Sequence, residues 1–442
     1  MKALEQAKHR ANGGRSQAAA LYDDKNCSVD RRMFWDEEIY QEELDRIFHR
    51  CWLFVAHESQ IQEPGQFVST YMGEDNVLVV RQSDRSIRVL VNSCTHRGNR
   101  ICHAELGTAR NFVCNYHGWS FGLDGRLLGM HESEAFENTP NFEFKDFGLS
   151  TAARVSTYKG LVFATFDPSA PSLEEYLGDY TWYLDILLDN DDGGTEFLPG
   201  TIKSVFRCNW KLPSENSTGD ALHAGWTHDS GVRAMLGTGV APGFGTDSYQ
   251  ININGHGWQC NFDYPLGNAA SFGDKRILSY LKERRDVVRR RLGALRVNML
   301  AAVSSAGIFP NFSFLPGQST FRVWHPRGVD EVEMHSWVLV NKNAPPEVKD
   351  AYRKGVMMTF SPSGVFEMDD GENFEFSTRT VRGAEGRRRP IYYGLSRGSK
   401  IKHNELPGNV YRGQINDANQ RAYFRRWADF MSAETWSEVP DR

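Results

Sequence analysis

Residues 94–119 read CTHRGNRICHAELGTARNFVCNYHGW, and these 26 positions hold three cysteines and three histidines. Cys94 and His96 form a Cys-x-His pair, Cys114 and His117 form a Cys-x2-His pair, and 17 residues separate the two pairs. Thiolate and imidazole both bind metals, so two such pairs on neighbouring loops could close round one centre. A Cys2His2 zinc site and a [2Fe–2S] cluster with two His on one iron use this donor set. Zinc fingers keep their two Cys together and their two His together, whereas the mixed pairing here fits a cluster whose irons need different ligands. Cys102 and His103 fall outside both pairs and are read as structural.

An electron-carrying cluster makes no product by itself, so a second centre is expected. NWKLPSENSTGDALHAGWTHDSG, residues 209–231, carries Glu215, Asn216, Asp220, His223 and His228. On a regular helix of about 3.6 residues per turn, Asn216 and His223 lie about 20° apart and Asp220 and His223 about 60° apart. His223 and His228 differ by about 140° there, so both reach one metal only if the helix widens into a π-turn or ends before His228. FSPSGVFEMDDGENFEF, residues 360–376, adds Glu367, Asp369, Asp370, Glu372 and Glu375. Two His and one carboxylate make the facial triad of non-haem Fe(II) oxygenases, which leaves metal positions open for O2. Asp220, one turn before His223, is placed to accept the other N–H of that imidazole and fix its tautomer.

These residues must be positioned by at least two domains. Residues 1–30 are polar and read as loosely held, and WDEEIYQEELDRIFHRCWLF as a helix with an acidic start and a basic end. From residue 65 to about 167 the chain runs in short β-rich segments broken by turns such as GEDN and SDRS, the mark of a small all-β domain. PSAPSLEEYLGDYTWYLDILLD then begins a larger part. There TIKSVFRCNWKL, SYQININGHGWQCNF, STFRVWHP and VEMHSWVLVNK read as strands, and segments near 216–228, 275–298, 345–360 and 415–435 read as helices. Strands and helices do not alternate strictly, so the fold class is α+β. The boundaries expected are 51–168 for the iron–sulfur domain, inserted between 1–50 and 169–442, which build a catalytic domain of antiparallel sheet flanked by helices.

CTHRGNRIC followed by CNYHGWSFGLDGRL is similar to the Rieske motif of bacterial aromatic-ring hydroxylating dioxygenases. Asn216, Asp220, His223 and His228, followed by GVFEMDDGEN, resemble the catalytic domain of the same proteins. With the FPN stretch near Phe309, the resemblance covers nearly the whole chain, to the large (alpha) subunit of the naphthalene, biphenyl and polycyclic-hydrocarbon type. It implies Cys94 and Cys114 on one iron of a Rieske [2Fe–2S] cluster and His96 and His117 on the other. It implies a mononuclear Fe(II) held by His223, His228 and Asp370, the second acid of its pair. It further implies catalytic roles for Asp220 and Asn216, and an electron path from His117 of one chain through Asp220 to His223 of the next, hence a ring of three alpha chains. Asn216, Ala221, Ala224, Phe360 and Phe366, with Leu236 beside them, match or neighbour positions lining the substrate cavity. The implied reaction is O2-dependent cis-dihydroxylation of a hydrophobic aromatic ring, with a small (beta) subunit in an alpha3beta3 assembly.

The chain has no Gly-rich dinucleotide fingerprint and no plant-type ferredoxin motif, so NAD(P)H electrons would arrive through a separate reductase and ferredoxin. A net charge of −5 over 442 residues gives no support to nucleic acid or membrane partners, and no run approaches the ~18 apolar residues of a membrane span. Seven scattered cysteines without an export signal argue against disulfides and for a cytoplasmic protein. The basic runs KERRDVVRRRLGALRVNML and GRRRP read as solvated faces. Two other readings remain: a Rieske monooxygenase or demethylase on a substituted or carboxylated aromatic, and an electron carrier whose large domain only binds partners.

Overall fold

The computed structural model describes residues 17–137, 139–140, 142–237, 247–262, 274–300 and 302–441. The chain divides into two compact units, His49–Leu173 and the pair Met1–Phe48 with Glu174–Arg442.

Strands of the smaller unit are short and antiparallel. Ile87–Val91, Asp75–Arg81, Gln66–Met72 and Leu106–Thr108 form one sheet, in that order. Arg154–Tyr158, Leu161–Thr165 and Leu53–His57 form a second, and Leu127–Gly129, Ser120–Phe121 and Phe112–Val113 a third. Val113 pairs with Ser120, so residues 114–119 are the tip of a hairpin. Phe67, Leu78, Leu90, Phe112, Trp119 and Phe121 form a core that also takes in Cys94 and Cys114.

The larger unit is built on an antiparallel sheet of ten strands. Its order runs Thr195–Phe197, Glu331–Asn341, Thr320–Gly328, Phe312–Leu315, Val303–Ile308, His256–Asn261, Ser248–Ile253, Asn409–Arg412, Lys400–Ile401, with Ile202–Phe206 also paired to Glu331–Asn341. The expected α+β class with an antiparallel sheet and flanking helices is what is found. SYQININGHGWQCNF is not one strand but a hairpin. Asn254 and Gly255 at φ 52° and 83° supply the two left-handed residues that a tight turn needs, an Asn-Gly signal in plain sight. The FPN stretch is likewise a turn, between Val303–Ile308 and Phe312–Leu315. Residues 17–30 are better ordered than their polar composition suggests. Tyr22–Asp23 and Ser28–Val29 pair with each other, and Ser28–Val29 also pairs with Ile391–Tyr392.

Helix Glu37–Glu43 is tied to helix Lys211–Ser217 through a buried charge. Glu43 Oε1 accepts from Lys211 Nζ at 2.6 Å and Trp427 Nε1 at 2.7 Å, and Oε2 accepts from Trp210 Nε1 at 2.7 Å. Burial pushes the Glu43 carboxyl up and the Lys211 ammonium down, against their mutual attraction. Lys211→Met leaves the carboxyl without its counter-charge and is expected to destabilise the fold by about 3–5 kcal/mol, read as a lower denaturant midpoint. Glu43→Gln with Lys211→Met should restore much of that midpoint, because no charge is then stranded.

Candidate functional site

The segment near 216–228, read as helical, is broken at 218–220, and its second helix ends before His228, one of the two arrangements that let both imidazoles reach one metal. Helix Lys211–Ser217 stops, and Gly219 at φ 144° turns the chain where an added Cβ would meet Asn419 and Gln259 at 2.9 Å. Asp220 then caps a second helix, Ala221–Thr227, its Oδ1 accepting from the N–H groups of Leu222 and His223 at 3.1 and 3.4 Å. That helix ends at His228, whose φ −96° and ψ 2° put it at the corner with the next helix, Asp229–Leu236. The regular-helix separation of the two imidazoles therefore does not apply. The acid run lies on helix Glu367–Thr380. Phe366 caps its start, Asp370 points inward, Glu372 is exposed, and half-buried Glu375 accepts from Arg379.

Three side chains from these elements converge. His223 Nε2 and His228 Nε2 stand 3.4 and 3.2 Å from the same oxygen, Asp370 Oδ1, and donor atoms of the three residues lie within 4.8 Å of one another. For a divalent metal about 2.1 Å from each ligand, neighbouring donors should be about 3 Å apart, so two nitrogens and an oxygen fit. Among the described residues this is the one such group of three or more. Burial raises the Asp370 carboxyl, but hydrogen bonding to His223 and His228 outweighs it and holds the group well below its usual range. Burial opposes charge on His223, yet Asp220 and Asp370 drive its pKa well up.

Second carboxylates back both imidazoles. Asp220 Oδ2 stands 3.5 Å from His223 Nδ1, and Asn216 Nδ2 lies 3.4 Å from that oxygen and 3.3 Å from that nitrogen. Asp369 Oδ2 stands 3.5 Å from His228 Nδ1, an outer carboxylate beside the one that faces both imidazoles. Glu215 sits behind Asp220 and accepts from Tyr393 Oη at 3.1 Å; burial and then the charge of Asp220 push its carboxyl well up.

Phe360 and Phe366 form an apolar cluster with Leu315, and Val232 and Met235 pack against it. The Phe366 ring lies 5.0 Å from that of His228 and 5.6 Å from that of Phe360. Ala221 is buried and Ala224 half-buried on the helix of His223. The Leu236 side chain lies outside the described residues. Sequence spacing could not find Leu315, Val232 or Met235, which come from a separate strand and helix. Behind Phe360 is Arg322, its guanidinium 5.3 Å from the ring and 3.0 Å from Glu367 Oε2.

In the smaller unit, Cys94 and Cys114 are buried and within hydrogen-bond reach of each other, and the rings of His96 and His117 are 4.5 Å apart. His96 Nδ1 is buried with no hydrogen-bond partner, as expected of a nitrogen that faces a metal. Burial pushes the Cys94 thiol up; at Cys114 it is outweighed by N–H groups of Tyr116, Asn99 and His117. The donor set fits a cluster with two thiolates and two imidazoles. Cys102 turns its Sγ to the Ala104 carbonyl, and His103 is exposed.

Two separated metal-binding arrangements, one thiolate–imidazole and one imidazole–carboxylate, define a two-centre oxidoreductase. Residues 51–143 match the Rieske [2Fe-2S] domain, and residues 173–432 match the ring hydroxylating alpha subunit (catalytic domain). The chain belongs to the ring-hydroxylating alpha-subunit family, whose members carry a Rieske [2Fe–2S] cluster and a mononuclear iron and use O2. It is 40% identical to the chlorobenzene dioxygenase alpha subunit of Cupriavidus sp. (strain PS12), over 98% of this chain and 97% of that protein. It is 39% identical to the biphenyl 2,3-dioxygenase alpha subunit of Rhodococcus jostii (strain RHA1), over 95% and 92%. Naphthalene 1,2-dioxygenase with indole bound superposes with a TM-score of 0.88 at 32% identity, covering 95% of each chain. A quaternary ammonium Rieske monooxygenase shares the fold alone, at 17% identity and a TM-score of 0.67. No described helix is long and apolar enough to cross a membrane.

Proposed function

We propose that this chain is the large subunit of a terminal oxygenase that adds both atoms of O2 to adjacent carbons of a hydrophobic aromatic ring, giving a cis-dihydrodiol. The observation that carries this reading is the apolar cluster of Leu315, Phe360 and Phe366 set against His228 of the two-His, one-Asp centre. His223, His228 and Asp370 hold the iron, and Cys94, His96, Cys114 and His117 hold the cluster. The iron supplies open coordination positions for O2, and the cluster supplies electrons singly. Asp220 keeps a proton on His223 Nδ1, so that Nε2 faces the metal. Phe360 and Phe366 hold a flat ring beside His228 and keep water from it. Ala221 and Ala224 are small enough to leave room along the helix of His223, and Asn216 steadies the Asp220 carboxylate. The domains are 51–168 within 1–50 and 169–442.

Electrons come from NAD(P)H through a reductase and a ferredoxin, pass from His117 of one chain through Asp220 of the next, and so require an alpha3 ring, completed by beta subunits in the cytoplasm. The monooxygenase reading on a carboxylated aromatic is weaker. Arg322, the cation behind Phe360, is already neutralised by Glu367 and is not offered to a substrate carboxylate.

Labelled O2 and a panel of naphthalene, biphenyl, phenanthrene, salicylate and phenylpropionate test this with the reconstituted system. The expected product is a diol of one of the three hydrocarbons with two labelled oxygens. One labelled oxygen, or turnover confined to the two carboxylated compounds, would defeat the proposal.

A further inference from the structure

Asn99 belongs to neither ligand set nor pocket, yet it takes part in a crossed arrangement of the two cysteine loops. Gly98 and Gly118, both at φ 73°, return their N–H groups to the carbonyls of Cys94 and Cys114 at 2.8 and 3.0 Å. Each cysteine N–H donates to the carbonyl of the residue after the glycine, Cys94 to Asn99 and Cys114 to Trp119, both at 2.8 Å. The loops are thus built alike and differ in the side chain that follows the glycine. Trp119 stacks across His96 of the other loop, ring centroids 4.8 Å apart and planes 3° from parallel. Asn99 reaches the opposite way, the two hydrogens of its Nδ2 shared among three acceptors, Asn115 Oδ1 at 2.8 Å, the Arg100 carbonyl at 3.1 Å and Cys114 Sγ at 3.6 Å. The backbone N–H dipoles of His96 and Arg97 favour a thiolate at Cys94, and those of Tyr116 and His117 favour one at Cys114. A side-chain amide is directed at Cys114 in addition.

We infer that Asn99 is a positioning residue that sets the reduction potential of the cluster, its amide N–H at Cys114 Sγ favouring the reduced form. This rests on the reading of Cys94, His96, Cys114 and His117 as ligands. Reduction brings in one electron from an external one-electron iron–sulfur donor, which is oxidised; no bond at Cys114 forms or breaks. Reduction would add one unit of negative charge to the cluster with its ligands, so an N–H dipole at a ligand sulfur would be worth more after reduction than before. Hydrogen bonds to the sulfurs are among the features that set the potentials of such clusters. A change of about 0.7–1.4 kcal/mol, the scale of one hydrogen bond, is about three- to tenfold in the equilibrium constant. For a one-electron couple at 59 mV per tenfold, that is about 28–59 mV.

The experiment is a dye-mediated redox titration of the purified, cluster-replete oxygenase, followed by the cluster's absorbance, with iron and sulfide assayed beside it. Asn99→Ala is expected to lower the midpoint by that three- to tenfold factor. Asn99→Asp, which keeps the shape and turns a carboxylate toward the sulfur, should lower it further. Asn115→Ala frees the Asn99 amide from a competing acceptor and should leave the midpoint unchanged or slightly higher. Wild-type midpoints in replete Asn99→Ala and Asn99→Asp would overturn the inference, as would an equal fall in Asn115→Ala, which would mark simple loosening of the loop. Cys114→Ser separates the two levels. Loss or spectral change of the cluster there keeps the ligand reading whatever Asn99 does, and an unaltered cluster would overturn that reading and the Asn99 role with it.

Discussion

Replacing Asp370 with alanine should reduce turnover by more than about 100-fold and lower the iron content from about three to about two per chain, while the visible absorbance of the cluster is retained. The size follows from what the carboxylate does. Even outer partners of metal ligands are typically worth 10–100-fold in metal affinity or activity, and Asp370 Oδ1 is the point that both imidazoles face, at 3.4 and 3.2 Å. Without it two neutral imidazoles remain, a donor set with no anion to offset a divalent cation. Asp370→Asn tests charge against shape and should fail almost as badly. Asp369→Asn, which touches only His228 Nδ1, should cost about 10–100-fold, and Glu372→Gln on the exposed face of the same helix nothing measurable. Retained turnover in Asp370→Ala would remove it from the ligand set. An iron count near two in the unaltered protein would instead favour an electron carrier.

The cysteine loops were readable because their ligands are near in sequence and a hairpin tip brings near residues together. Cys94 with His96, and Cys114 with His117, need only one tight turn each, marked by Gly98 and Gly118. His223 and His228 are legible as a pair, and so is the need for the helix to end before His228, but the break at 218–220 is not. Gly219 and the cap at Asp220 restart the helix, and no 3.6-residue periodicity reveals a break that tertiary packing on Asn419 and Gln259 enforces. Half of the ten-stranded sheet is legible as strand segments; the short strands Thr195–Phe197, Val303–Ile308, Phe312–Leu315, Lys400–Ile401 and Asn409–Arg412 carry no comparable signal. Contacts between distant segments were not legible. Leu315 beside Phe360, Arg322 against Glu367, Asp369 opposite His228 Nδ1 and Asn99 on Cys114 depend on which segments become neighbours, and nothing local encodes that.

Asp220→Asn should leave both metal centres loaded and slow the transfer of electrons to the mononuclear site by about 10–100-fold. Asparagine caps a helix about as well as aspartate, so the N–H groups of Leu222 and His223 keep an acceptor and stability should change little. What disappears is the anion beside His223 Nδ1, and with it the preference for a proton there. Asp220→Ala loses the cap as well, at about 1 kcal/mol, so a comparison of the two separates folding from charge. The measurement is the rate of cluster reoxidation when pre-reduced enzyme meets substrate and O2; an unchanged rate takes Asp220 off the path. Hybrid rings then decide whether the path crosses between chains. A chain with Cys94→Ala and Cys114→Ala lacks both thiolate ligands, and so the cluster, but has an intact Asp220, and a chain with Asp220→Asn has a cluster but a defective route into its own iron. If electrons stayed within a chain, neither partner could turn over and the mixture would be as inactive as its parts. If they pass to the next chain, the cluster of the second feeds the iron of the first, and mixing the two proteins before assembly should give activity well above the sum of the two parents.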